Sequence, residues 1–265
     1  MTDPSIWNQF LIWPILNVLI AIYKLFEGVR LPGSLGLSII GLTLLIRFVL
    51  YPFTTAQIKS AQKMQELKPN MDRIKEKYKK DAMRQQQEFA KLYKEHNINP
   101  AAGCLPLLIQ APIFLALYNM LLQVVSNGDV VKVMGEINKI VYFPFLKIDQ
   151  PWDPYFLGVN LGAKPSDWAT TGILLLAIPA VTGLLQFLQT KMMIPKTQEA
   201  LVAKAADDKK TDMNDFTNIM QKQMLYFFPI MIGVASYGFP VGLSLYWNTF
   251  TIFGIIQQYL INKKK

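Results

Sequence analysis

Residues Ser34 to Thr54 read SLGLSIIGLTLLIRFVLYPFT, an unbroken apolar run with one arginine, Arg47, set inside it. About 20 helical residues cover the roughly 30 Å hydrocarbon core of a bilayer, so the stretch predicts a membrane span. An arginine in a span costs at least about 2.5–3.5 kcal/mol, and its guanidinium cannot escape by losing a proton. Two readings follow. Arg47 snorkels from the cytoplasmic third of the helix to the headgroups, or it faces a buried polar cavity that needs a fixed positive charge. Thr43, one turn earlier, shares its face.

The rest of the chain extends the pattern. Its 265 residues are 52% apolar yet carry a net charge of +9, with the two kinds of residue segregated. Apolar runs at 34–54, 102–125, 168–190, 224–239 and 242–262 predict five spanning helices. The turn Tyr237-Gly238-Phe239-Pro240 parts the last two. A sixth stretch, Ile6–Phe26, is interrupted by Pro14 and Asn17 and closed by Lys24 and Glu27. It suits a span, an uncleaved signal or an amphipathic helix lying in the interface, and we favour the interfacial helix, because a sixth span would break the alternation of the basic segments. It lacks the basic start and small-residue cleavage site of a removed signal peptide.

Basic residues choose the orientation. Segment 57–100 holds 11 Lys and Arg, 191–222 holds six and 263–265 holds three, against two in 1–33 and four in 126–165. The first three segments are therefore expected in the cytoplasm, with the N-terminus outside. The expected organisation is an extracytoplasmic segment 1–33, a five-span core 34–262 and a short basic tail 263–265. Within the core lie a cytoplasmic segment 57–100, an outer segment 126–165 and a cytoplasmic loop 191–222.

Several function classes recede. Cys104 and His96 are the sole cysteine and histidine, so neither an intrachain disulfide nor a His/Cys metal site is expected. No phosphate loop or nucleophile-elbow motif occurs, and no cofactor, enzymatic activity or DNA partner is expected. Acidic residues avoid the five apolar runs, whereas proton-driven transporters usually carry one there.

Segment 57–100 is hydrophilic and helix-favouring. Met64, Leu67, Met71, Ile74 and Tyr78 follow a 3-4-3-4 spacing, a narrow coiled-coil seam, and Lys68-Pro69 kinks the helix or starts a new one. A second stripe runs through Phe89, Leu92, Tyr93 and His96. The pattern predicts an antiparallel helical hairpin with its lysines in water. Such a basic hairpin suits anionic lipid, ribosomal RNA or an acidic protein, and the sequence does not choose among them.

Polar residues recur inside the spans: Gln110, Asn119 and Gln123 in the second, Thr182, Gln186 and Gln189 in the third, and Trp247, Asn248, Thr249, Gln257 and Gln258 in the last. Singly, such groups bond between helices. Beside an arginine with no intramembrane carboxylate, they point to a wet, positively charged groove.

Three blocks carry a family resemblance. LIRFVLYPFT at 45–54, NPAAGCLPLLIQAPIF at 99–114, and Phe239-Pro240 with GLSLYWN at 242–248 and Ile255-Ile256-Gln257-Gln258 occur in that order. Together they resemble the YidC/Oxa/Alb membrane protein insertases, over about residues 6–262, in the short form without a large periplasmic domain. The resemblance implies an all-α membrane protein with a five-transmembrane-helix core, an interfacial helix, a cytoplasmic hairpin and a hydrophilic groove. It implies insertion and folding of nascent membrane proteins at the cell membrane without nucleotide hydrolysis. The expected partners are those substrates, the lipid bilayer, the ribosome and the Sec translocon. Arg47 matches the groove arginine, Thr43 a substrate-contact position, Trp247 a groove-lining aromatic and Gln186 a polar position on the third span. Gln110 and Asn248 complete the candidate groove. There are departures: the N-terminal part holds no lipobox cysteine, and the tail is short for a ribosome contact. The rival readings are a small-solute or anion transporter using Arg47, and a passive assembly scaffold.

Overall fold

The computed structural model describes residues 2–79, 81–96, 105–126, 130–193 and 223–263. The block Asn99–Cys104, most of the loop 191–222 and the last two lysines of the tail lie outside them.

The apolar run Ser34–Thr54 forms part of α2, Ser34–Glu66. This helix does not stop near Thr54. It passes through Pro52 and carries the first arm of the hairpin on the same rod of about 50 Å. Pro52 has no N–H to offer the Phe48 carbonyl. The Thr54 hydroxyl stitches the loosened turn by donating to the Leu50 and Tyr51 carbonyls, both at 3.1 Å.

The chain then breaks at Leu67 into α3, Lys68–Lys77, with Pro69 in its first turn, where a proline costs no hydrogen bond. The Asp81 carboxylate accepts from the Arg84 amide at 2.9 Å and caps α4, Ala82–Glu95. Leu67 and Leu92 are buried against one another's helices, with Met64, Met71, Ile74 and Tyr93 packed around them. The Tyr93 hydroxyl donates to Met71 Sδ at 3.4 Å, and burial raises the pKa of its phenol. Tyr78 leaves the expected seam. Because α3 ends at Lys77, Tyr78 sits in the turn, where the Lys77 and Arg84 cations each lie 5.3 Å from its ring centroid. Phe89 and His96 also stand outside the cluster.

The remaining long helices are α5 (Leu105–Ser126), α8 (Ala177–Met193), α9 (Phe228–Tyr237) and α10 (Val241–Lys263). The apolar run 168–190 is not one helix. A short α7, Trp168–Thr171, ends at Gly172, whose φ of 112° only glycine adopts freely, and a 3-10 turn leads into α8. Contacts fix the helix directions. Arg47 meets Phe250 and Thr54 meets Gln257, so α2 and α10 run parallel. Gln110 meets Tyr246 while Gly242 faces Val125, so α5 opposes α10. Gly183 packs on Gly233 and Phe187 stacks on Tyr226, so α8 opposes α9. Gln186 meets Trp247 and Gln189 approaches Gly254, so α8 runs with α10.

At the N-terminus a π-type turn, Asn8–Ile12, leads into α1, Trp13–Gly28. Pro14 and Asn17 do not interrupt it. Pro14 occupies the first turn, and Asn17 is buried with every bond made: its amide donates to the Trp13 and Ile140 carbonyls, and its oxygen accepts from the Tyr142 amide at 2.7 Å. Leu16, Leu19, Ile20 and Tyr23 form its buried face, but Phe10 and Leu25 on the exposed side are apolar too, so the stretch is less amphipathic than expected. Among the described residues three helical stretches are long and apolar enough to cross a membrane: Asn8–Gly28, Ser34–Met64 and Ile173–Met192. Gln110–Val125 and Leu225–Tyr237 are shorter apolar helices.

The described residues of segment 126–165 form a packed cap on the bundle. Before α7 it holds α6 (Val130–Ile137), a 3-10 turn at Pro144–Leu146 and a two-stranded hairpin, β1 (Tyr155–Phe156) with β2 (Val159–Asn160). Val133, Ile137, Ile140, Leu146, Ile148, Trp152 and Leu161 join the same core as the spans. The Phe156 ring lies on Gly36, where any side chain would collide with it. The Ala163 and Leu161 carbonyls accept from the Val241 and Gly242 amides at 2.9 and 2.8 Å. The cap thus supplies acceptors for the otherwise orphaned first amides of α10.

Candidate substrate-binding site

Arg47 is 4% exposed, at the junction of α2 with α10. Its Nε donates to the Phe250 carbonyl at 3.1 Å, and Nη2 donates to the same oxygen. Cζ lies 3.4 Å from the Phe250 ring centroid and 5.7 Å from that of Phe253. A backbone carbonyl and two ring faces stabilise the cation where a carboxylate would neutralise it. A desolvated cation–ring pair contributes about 2 kcal/mol, which offsets part of the burial cost. A guanidinium has five N–H donors. Among the described residues Nη1 has no protein acceptor, so Arg47 keeps donors available while being held in place.

Two polar links spread from α10. The Gln110 amide donates to the buried Tyr246 hydroxyl at 2.9 Å, and the Tyr246 ring lies 5.9 Å from Phe250. The Trp247 indole donates to Gln186 Oε1 at 3.2 Å, with its ring edge-on to Phe114 at 5.1 Å. Three of the expected residues, Arg47, Gln110 and Gln186, therefore reach one short stretch of α10 from three different helices, and a fourth, Trp247, lies on that stretch. Asn248 adds a buried carboxamide oxygen with no partner among the described residues. Thr43 is fully buried but turns inward, donating to its own helix at the Ile39 carbonyl (2.6 Å), and it does not bond Arg47. Among the described residues no cluster of metal-ligating side chains forms.

Sequence reasoning missed the residues that touch the charge. Phe250 acts through its carbonyl, which leaves no signal in residue type. Phe253 and Gly254 sit in an apolar run, and Gln189 was visible as a polar residue but not as a neighbour of Arg47. One turn on, the Gln257 amide donates to the hydroxyls of Thr54 (2.8 Å) and Thr55 (2.9 Å). Gln62 donates to Asn262 at 2.7 Å beyond it.

Comparison with known proteins bears on this arrangement. The family model described as 60Kd inner membrane protein matches residues 28–265. A membrane protein insertase YidC from Fusobacterium nucleatum is 33% identical over 88% of this chain and 88% of its own length. Another bearing that name, from Oceanobacillus iheyensis, is 33% identical over 98% of this chain and 84% of its own. A crystal structure of an active YidC insertase, with its first transmembrane domain resolved, has a similar fold at TM-score 0.55 and 24% identity. That likeness covers 96% of this chain and 47% of the other. A family match over nearly all of the chain, with insertases a third identical along their length, places the protein in the 60Kd inner membrane protein family, alongside the YidC insertases.

Proposed function

We propose that this chain is a membrane protein insertase, and that Arg47 is the charge which receives an acidic or polar segment of a nascent membrane protein. The observation that carries this reading is a buried arginine with no carboxylate partner among the described residues and with donors to spare. A carboxylate about 4 Å away gains about 4 kcal/mol at an effective dielectric of 20, much of it offset by desolvation, so capture is transient. Gln186, Trp247, Gln110 and Asn248 line the path with amide and indole groups that bond without adding charge. Thr43 sits one turn outward. The basic hairpin meets the substrate as it leaves the ribosome, alone or beside the Sec translocon. The apolar segment then moves along α2 and α10 into lipid, driven by burial of its surface.

The alternating directions of α2, α5, α8, α9 and α10 support five spans, and the excess of basic residues in 57–100 and 191–222 supports a cytoplasmic C-terminus. Asn17 and Lys24 of α1 both reach the outer segment, at Ile140, Tyr142 and Asp149, which supports a helix laid along the outer face.

The test is insertion, into liposomes holding the purified protein, of a single-span substrate with a short acidic N-terminal tail, read by protease protection of that tail. Protection is expected with the wild type and with Arg47→Lys, and its loss with Arg47→Ala. Equal protection by Lys and Ala variants removes Arg47 from the mechanism. Protection no better than with empty liposomes favours a passive scaffold, and uptake of small anions instead of tails favours a transporter.

A further inference from the structure

We propose that Gly254 is a positioning residue for the Arg47 guanidinium, with Gln189 as the opposite wall of the same slot. The proposal rests on the insertase reading of Arg47 and names what aims its charge.

Gly254 is buried in the middle of α10, one turn beyond Phe250. A glycine there makes the helix less stable than alanine would, and its backbone has ordinary helical angles, so no turn demands it. What demands it is space. A Cβ at position 254 would fall 2.7 Å from Arg47 Nη2 and 3.5 Å from Cζ, and it would overlap Gln189 Nε2. The guanidinium has little room to retreat. It is pinned to the Phe250 carbonyl on one side and lies flat against the Phe250 ring on another. The missing side chain of Gly254 is therefore the slot that admits the planar cation against α10. Gln189, reaching across from α8, closes that slot with its carboxamide.

The two groups a methyl would displace are the ends of flexible side chains. The fold therefore tolerates Gly254→Ala, and what changes is where the charge points. A smaller, more flexible ammonium in place of the fork has room to move aside, so Arg47→Lys is expected to be insensitive to the same methyl.

The experiment compares insertion of two substrates, one with an acidic tail and one with that tail's carboxylates replaced by amides. It uses the wild type, Gly254→Ala, Gln189→Ala, the double variant Gly254→Ala/Gln189→Ala, and Gly254→Ala in the Arg47→Lys and Arg47→Ala backgrounds. Thermal unfolding in detergent is recorded for each. Gly254→Ala is expected to lower the acidic-to-neutral ratio by about fivefold or more, toward the Arg47→Ala value, with unfolding near that of the wild type. Removing the Gln189 side chain in the double variant gives the guanidinium room and restores part of the ratio. The methyl has no effect on the ratio when residue 47 is Lys or Ala, which is the coupling a double-mutant cycle reads. An unchanged ratio in Gly254→Ala overturns the proposal, as does an equal loss of both substrates or a loss that persists without Arg47. A wild type that shows no preference for the acidic tail overturns the reading of Arg47 instead, and the two failures are distinct.

Discussion

The Gln257 carboxamide donates to the Thr54 hydroxyl at 2.8 Å, seven residues beyond Phe250 on one helix and seven beyond Arg47 on the other. The two contacts repeat with a heptad's spacing because α2 and α10 run parallel, like the strands of a short coiled coil. The Thr55 hydroxyl and the Tyr51 carbonyl accept from the same Gln257 nitrogen, so one carboxamide ties α10 to a full turn of α2.

Gln257→Leu removes these ties while keeping a side chain of roughly similar volume. Hydrogen bonds between membrane helices contribute modestly, so a loss of about 1–2 kcal/mol is expected. Thermal unfolding in detergent measures it, and a midpoint equal to that of the wild type would show that the helices hold together without the carboxamide.

Asn17→Leu leaves the buried Ile140 carbonyl and the part-buried Tyr142 amide without their partners. The expected cost is about 1–3 kcal/mol, concentrated in the outer cap. Limited proteolysis should cut near 138–147 faster than in the wild type, and an unchanged cleavage pattern refutes the tie.

The position of α1 has a direct readout. In a Cys104→Ser background, Asp3→Cys is expected to react with a membrane-impermeant thiol reagent added outside sealed cells, as the proposed placement of α1 along the outer face requires. Labelling only after the cytoplasmic side is opened would make Asn8–Gly28 a sixth span.

The hairpin stands on one small cluster. Leu92→Asp puts a charge into the apolar cluster against Leu67 and Met71. Trypsin should then cut within 68–95 readily while the unfolding midpoint of the membrane helices stays put. Equal resistance of this segment to trypsin would refute the cluster as its anchor.

What the sequence made legible follows from what side-chain type encodes. Apolar runs encode burial in lipid or core, so the helical runs and the hairpin could be read from hydropathy and period. The spacing from Met64 to Ile74 predicted one face, and the structure packs those residues together. The seam failed at Tyr78 because a helix end, not a side chain, decides where a period stops. The single-helix reading of 168–190 failed at Gly172, a residue that fits either a helix or a break until its φ is known. The site divides in the same way. Arg47, Gln186, Trp247 and Gln110 announced themselves as polar or amphipathic groups in apolar runs. The Phe250 carbonyl exists at every residue and announces nothing, and the slot at Gly254 is defined by an atom that is not there. Pro14 and Asn17 misled for the opposite reason. Both are poor helix formers, but one occupies the first turn and the other has a tertiary partner at every polar atom.

The bonds from the Val241 and Gly242 amides to the carbonyls of Ala163 and Leu161 make the two ends of the bundle mechanically unequal. At the end that bears the cap, main chain is locked to main chain and Phe156 is wedged against Gly36. Toward the hairpin, the bonds between α2 and α10 among the described residues run from side chains, which can exchange one partner for another. The bundle is therefore built like tweezers, riveted at the capped tip and held at the other by exchangeable contacts. On the insertase reading proposed above, a polypeptide would enter between the arms at the hairpin end while the riveted end stays shut.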